Sequence, residues 1–251
     1  MRLDDRHRDP SGGRSDTAAV NAQYNLAAPD SLPARIAGQQ RRKMFGAFTA
    51  FADPDPTDRI LDIGVTSDRG YDHSNYFEAW YPDKASVTAI GLDDAAFLMT
   101  IYPGVRFIRG DGRALPFADN SFDYVHSSAV LEHVGSRAQQ TRLLREAWRV
   151  ARKGLFVTTP NRWFPVEFHT VLPLLHWLPP QRHRAMLRRL GMEFFACEDN
   201  LNLLSRNVLI SLASAAGIAD PTVDSVALLG WPTNLILSAR KRGGSGDDRA
   251  L

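Results

Sequence analysis

The sequence contains a single cysteine, Cys197. That count excludes an intrachain disulfide and any zinc site built on cysteine pairs, and it fits a reducing compartment. Long apolar runs are also missing. The longest, VLPLLHWLPP, falls far short of the roughly 20 residues that a membrane-spanning helix needs. Charge of one sign does not dominate either: the formal net charge is +2, so composition gives no argument for a nucleic-acid partner. The opening MRLDDRHRDPSGGRSD has no apolar stretch of the signal-peptide kind, and it is too rich in aspartate for an organelle transit peptide. The expectation is a cytoplasmic protein that does not bind nucleic acid.

What is present suits one globular domain: 251 residues, 44% of them hydrophobic. Residues 1–30 and 242–251 are polar and rich in Gly, Ser, Asp and Arg, and both read as disordered tails. Between them lies a domain over 31–241. A helix is predicted from Pro33 to Phe51, its apolar side carrying Ile36, Met44, Phe45, Phe48 and Phe51. The short runs RILDIG, SVTAIGL, VRFIRG, FDYVHS and GLFVTT have the length and Val/Ile/Phe content of buried strands, with helical segments between them. The clearest helix spans Arg137 to Ala151, with Ser136 as N-cap and Gln139 closing a capping box. Strand alternating with helix means a doubly wound parallel sheet. A last helix near Leu204–Ala216 precedes TVDSVALLG and NLILSARK, two strands with no helix between them. The fold class is therefore α/β, a seven-stranded, mostly parallel, Rossmann-like sheet whose last strand is antiparallel.

In an open parallel sheet the ligand lies at the carboxyl ends of the strands. Asp62 and Gly64 stand at the first strand, Asp93 follows the second, and Asp111 and Gly112 follow the third. The dinucleotide pattern G-x-G-x-x-G is absent: after Gly64 come Val65, Thr66, Ser67 and Asp68. Carboxylates would repel a pyrophosphate. They suit a ligand with a ribose diol, an adenine amino group and a cation, so the cleft fits S-adenosylmethionine better than NAD or FAD. Any one of these aspartates could instead cap the next helix, but three at matching strand ends argue for a site.

At these residues the chain resembles the class I S-adenosylmethionine-dependent methyltransferases of the type 11 group. LDIG, GLDD, the run GDGRALPFADNSFDYVHSSAVLEHV and the late strand pair carry the resemblance, which covers about Ile36 to Arg240. It implies Gly64 beside the methionine moiety, Asp93 on the ribose, Asp111 on the adenine and Ser127 on the methyl-transfer face. Further glycines, common in this family after the first strand, are missing here, and Thr66 or Ser67 would donate hydrogen bonds in place of a close backbone approach.

His133 is the candidate general base, since its ordinary pKa lies near neutrality. The alternative is a helix residue packed behind the cleft. Residues 161–200 read as a substrate-side insertion, with Trp163, Phe164, Phe168 and Trp177 as candidate contacts to the acceptor or, equally, as side chains packed on the sheet edge. The basic QRHRAMLRRL reads first as a solvated face; an anionic head group or a peripheral membrane contact is the alternative. No metal constellation is visible in the sequence. The expected function is methyl transfer to a small-molecule or lipid-like acceptor. A non-catalytic cofactor-binding domain with an altered glycine loop is the competing reading.

Overall fold

The computed structural model describes residues 31–70 and 74–241. The two tails read from the sequence lie outside them. Helix α1, Leu32–Ala52, starts where Ser31 accepts a hydrogen bond from the Ala34 N–H and a proline occupies the first turn. Its buried face carries Met44, Phe48 and Ala52, together with the polar Gln40. Five parallel strands follow: β1 (Ile60–Ile63), β2 (Val87–Gly91), β3 (Arg106–Arg109), β4 (Phe122–Ser128) and β5 (Ala151–Pro160). Strands β6 (Thr222–Leu228) and β7 (Trp231–Arg240) complete one seven-stranded sheet of order β3-β2-β1-β4-β5-β7-β6. Only β7 runs against its neighbours, pairing antiparallel with both β5 and β6. The expected fold class is thus present.

The regular alternation of strand and helix is looser than the sequence pattern predicts. Between β1 and β2 stands the short helix α2 (Tyr76–Trp80), and between β2 and β3 the single turn α3 (Leu98–Ile101). No helix joins β3 to β4, so α1 takes the place of a covering layer on that face. On the other face lie α4 (Arg137–Val150) and α7 (Arg206–Ala215), which bury Leu143, Leu144, Ala147, Leu209 and Leu212 against the sheet. Ser136 stands at the start of α4 with no side-chain capping bond, so the expected box does not form. The buried residue is the next glutamine: the Gln140 amide donates to the carbonyls of Leu131 and Asn202.

The insertion after β5 contains α5 (Pro180–Arg189) and α6 (Glu193–Ala196), together with its own small apolar cluster of Leu187, Phe195, Ala196, Leu201 and Leu203. Pro180 opens α5, where its missing N–H costs nothing. Among the described residues no helix is long and apolar enough to cross a membrane.

Candidate functional site

A cavity of about 210 Å³ opens at the carboxyl ends of β1 and β4. One wall is α1, through Ala37, Gln40, Arg41 and Met44. The loop after β1 forms the floor with Gly64, Val65 and Thr66, and the insertion closes the far side with Phe168 and His169. Gly64 is needed at this crossing. Its φ is +102°, and a Cβ there would lie 2.0 Å from a Val130 methyl.

Side chains hold the loop after Gly64 in place of further glycines. The Thr66 N–H donates to Asn75 Oδ1 at 2.9 Å, and Asn75 Nδ2 returns a bond to the Thr66 carbonyl at 3.0 Å. The Asp68 N–H donates to Thr66 Oγ1, so Thr66 braces the loop from within. Ser67 Oγ donates to Asp93 Oδ2 at 3.2 Å, tying this loop to the end of β2. Asn75 drew no attention in the sequence, where only its place ahead of α2 marks it.

Under the floor lies a buried polar group that the sequence hides. Asp62 Oδ1 meets His126 Nδ1 at 2.5 Å, and Tyr76 Oη meets His126 Nε2 at 3.2 Å. Burial pushes the Asp62 carboxyl up to about 7 and the His126 imidazole down to about 3. Burial and then the nearby Asp62 push Glu78 well above the ordinary carboxylate range.

Of the other candidates, His133 and Phe168 line the cavity beside Asp62, Gly64 and Thr66. Asp93 is not among the lining residues; it accepts from Ser67 Oγ in the loop whose Thr66 and Asp68 line the cavity. Asp111 is engaged elsewhere: Arg113 donates from Nε and Nη2 to its carboxylate at 2.9–3.0 Å, and the Arg113 N–H adds a fourth bond. Burial works against ionisation of Asp111, but these bonds outweigh it and hold the group below its usual range. Gly112 packs under Ile63, where a Cβ would come within 2.7 Å of a methyl; this packing, away from the cavity, is what the structure shows for it. Ser127 is fully buried and donates to the Ile63 carbonyl, whereas Ser128 lines the cavity. Successive strand residues face opposite ways, so a reading one residue off lands on the wrong side of the sheet. Trp163, Phe164 and Trp177 do not line the cavity. Phe164 stacks on Phe168 at 5.2 Å, and the two tryptophans are exposed beside Trp231.

At the insertion end, Glu167 Oε1 meets His169 Nδ1 at 2.6 Å. Glu167 also accepts from the N–H groups of His169 and Thr170 and from Thr170 Oγ1. Burial opposes its charge, but His169 and these bonds bring the carboxyl down to about 2. His169 is raised in turn: burial lowers it, and Glu167 more than compensates. His169 Nε2 faces His133 Nε2 at 3.0 Å, and Glu132 adjoins them, three donor groups within 4.8 Å of one another. The sequence showed no metal constellation because His169 lies on a different element from the Glu132–His133 pair.

The sequence matches a family described as a methyltransferase domain over residues 69–158. It is 34% identical over 178 residues to a demethylmenaquinone methyltransferase of Roseiflexus sp. (strain RS-1), an alignment covering 68% of this chain and 70% of the relative. An uncharacterized methyltransferase of Mycolicibacterium vanbaalenii is 39% identical over 138 residues, covering 52% of this chain and 49% of that one. Among solved structures, an S-adenosylmethionine-dependent methyltransferase of Mesorhizobium loti shares the fold, with a TM-score of 0.54 at 16% identity, over 78% of this chain and 96% of that one. PigF, solved with SAH, has a TM-score of 0.51 at 19% identity, over 83% of this chain and 60% of that one. The cleft, the sheet and these likenesses define a class of enzyme that transfers methyl groups. The chain belongs to the class I S-adenosylmethionine-dependent methyltransferases. Its cofactor is S-adenosylmethionine.

Proposed function

We propose that the protein methylates a small aromatic acceptor of the reduced-quinone class. The observation that supports this reading is the cavity itself, polar and acidic at the β1 loop and lined by Phe168 and two imidazoles on the side of the insertion. The name of the Roseiflexus sp. relative supplies the acceptor class. The residues fit the cofactor. Gly64 leaves the floor open where a side chain would clash, and the carboxylate of Asp62 suits an ammonium group. When bound, S-adenosylmethionine supplies a sulfonium methyl that is already activated. Asp93, steadied by Ser67, accepts hydrogen bonds from the ribose diol. Asp111 stays on Arg113 and shapes the adenine end. At the acceptor end Phe168 excludes water and holds the ring flat, which aligns it for in-line attack. Such alignment alone is worth about 7–11 kcal/mol in well-oriented pairs. His133 and His169 lie where the acceptor hydroxyl would sit. A cytoplasmic setting, with the exposed arginines of α5 turned toward an anionic membrane surface, would suit a lipid-like quinol.

Incubation of the full chain with S-adenosylmethionine and a short-chain demethylated naphthoquinol, with formation of S-adenosylhomocysteine as the readout, tests the reading. Turnover with the quinol and none with the oxidised quinone is expected. Turnover with an amine or carboxylate panel but not with quinols would overturn the acceptor assignment.

A further inference from the structure

The acceptor end of the cavity carries three donor atoms from two parts of the chain. Glu132 and His133 lie in the 3₁₀ turn Leu131–His133 that follows β4, and His169 comes from the insertion. His133 Nε2 and His169 Nε2 are 3.0 Å apart, and Glu132 Oε1 is 3.7 Å from His133 Nε2. A divalent ion bound at about 2.0–2.2 Å from each of two ligands sets those ligands about 3.0–3.6 Å apart for bond angles between octahedral and tetrahedral. The His133–His169 separation falls in that range, the Glu132–His133 separation lies just above it, and all three donor atoms stand within 4.8 Å of one another.

The second nitrogen of each ring is committed in the way metal-bound histidines require. His133 Nδ1 lies 2.7 Å from the Asn200 carbonyl, which can only accept, so the proton sits on Nδ1. His169 Nδ1 donates to Glu167, itself fixed by two backbone N–H groups and the Thr170 hydroxyl. In the neutral rings both Nε2 atoms then present lone pairs to each other at close range. Something positive must lie between them. A proton on one ring would satisfy that pair, but it would leave Glu132 out. Glu132 is fully buried. Its Oε2 accepts from Thr159 Oγ1 at 2.8 Å, and its Oε1, on the side of His133, has no hydrogen-bond partner among the described residues. A buried carboxylate oxygen in that state is costly unless the group is protonated or a cation faces it.

We propose that Glu132, His133 and His169 form a binding site for a divalent transition-metal ion, with an open coordination position facing the cavity. Two imidazoles and one carboxylate suit zinc, manganese or ferrous iron better than magnesium or calcium. Both histidines line the cavity, so a fourth ligand would come from that side. The acceptor hydroxyl oxygen is that ligand: the metal–oxygen bond forms as the O–H proton leaves to solvent, and the methyl group then passes to an acceptor already carrying negative charge. This role in activation rests on the quinol reading above; the metal site itself does not.

The test uses the full chain after exhaustive chelation. Titration with Zn²⁺ in competition with a chromophoric chelator is expected to show one ion per chain, and Co²⁺ in its place to give visible ligand-field bands. Glu132→Gln and His169→Ala should each weaken Zn²⁺ binding about 10- to 100-fold. S-adenosylhomocysteine binding, measured on the same samples, should stay unchanged and so report that the variants are folded. If His169→Ala does not fold, the Co²⁺ spectrum of the wild-type chain still decides: bands without nitrogen-ligand character overturn the site. Substoichiometric Zn²⁺, or binding indifferent to both substitutions, overturns it too and marks an adventitious ion. Quinol turnover unaffected by chelation would sink the activation role and leave the function standing. Zn²⁺ bound at the site without any quinol turnover would overturn the quinol reading, and the activation role with it, and leave the metal site standing.

Discussion

The cavity has a buried carboxylate–imidazole pair near each end, and the two pairs titrate in opposite directions. Asp62 and His126 meet at 2.5 Å and Glu167 and His169 at 2.6 Å, so contact distance does not separate them. The number of other hydrogen bonds does. Glu167 accepts three from Thr170 and the His169 backbone, and its carboxyl falls to about 2. Asp62 sits beside a second acid, Glu78, and burial carries it up to about 7. An interior carboxylate is held charged by the donors that replace its water; one partner does not suffice.

The sharpest way to break this comparison is to remove each acid. Glu167→Ala strands two backbone N–H groups, the Thr170 hydroxyl and the His169 Nδ1 side in the interior, and should cost about 3–5 kcal/mol in urea unfolding. Asp62→Asn exchanges a carboxyl that is mostly protonated at pH 6 for a neutral group of the same shape, and at that pH should cost about 1 kcal/mol or less. Equal losses would show that both acids are ionised in the folded chain.

At the cofactor end, Asp93→Ala removes the carboxylate that Ser67 steadies. Calorimetric binding of S-adenosylhomocysteine should weaken by about 1.5–3 kcal/mol, the scale of hydrogen bonds to a charged group. Wild-type affinity in that variant would remove the ribose assignment.

A smaller effect sharpens the comparison through pH. With its carboxyl near 7, Asp62 passes from mostly protonated at pH 6 to mostly ionised at pH 7.5. An ammonium-bearing ligand prefers the ionised form, so affinity should rise about five- to tenfold over that interval and stay flat in Asp62→Asn. The folded chain binds more protons at Asp62 than the unfolded chain does between the ordinary value of 3.8 and about 7, so this group's contribution to stability falls as pH rises through that window. His126, lowered from 6.5 to about 3, contributes the other way: its share rises with pH between those values. Melting curves of Asp62→Asn against pH separate the two.

The smallest expected effect lies outside the cavity. Trp163 is 48% exposed, and its replacement by alanine should shift unfolding by less than about 0.5 kcal/mol. A loss of several kcal/mol would place it in a packed core that the structure does not show.

The sheet was legible because its strands are short Val, Ile and Phe runs bounded by turn residues; of the strand-end acids, Asp62 lines the cavity and Asp93 and Asp111 do not. Other features depend on the folded chain. The Asp62–His126 contact joins adjacent strands far apart in sequence, and nothing in FDYVHS says which neighbour the histidine faces. Glu132, His133 and His169 meet only once the insertion folds back, with the Asn202 N–H donating to the Glu132 carbonyl and the Asn202 amide to the Gly135 carbonyl. Ser127 and Ser128 differ only in strand parity, which an exact register would have settled. The Arg113 bond to Asp111 is the exception. An arginine two residues on, in GDGR, was local enough to be read.

The position of β7 has a consequence for how the chain reaches this state. β7 lies between β5 and β6, yet among the described residues it is the last strand made. Until Arg240 has been synthesised, β5 presents a bare edge of backbone from Gly154 to Pro160, and β6 has no other strand to pair with among the described residues. A growing chain therefore holds the five parallel strands in a sheet that is open on one side. Closing it depends on a contact between β5 and β7 that spans some 80 residues, which is the kind of step that slows folding and exposes an edge to other chains.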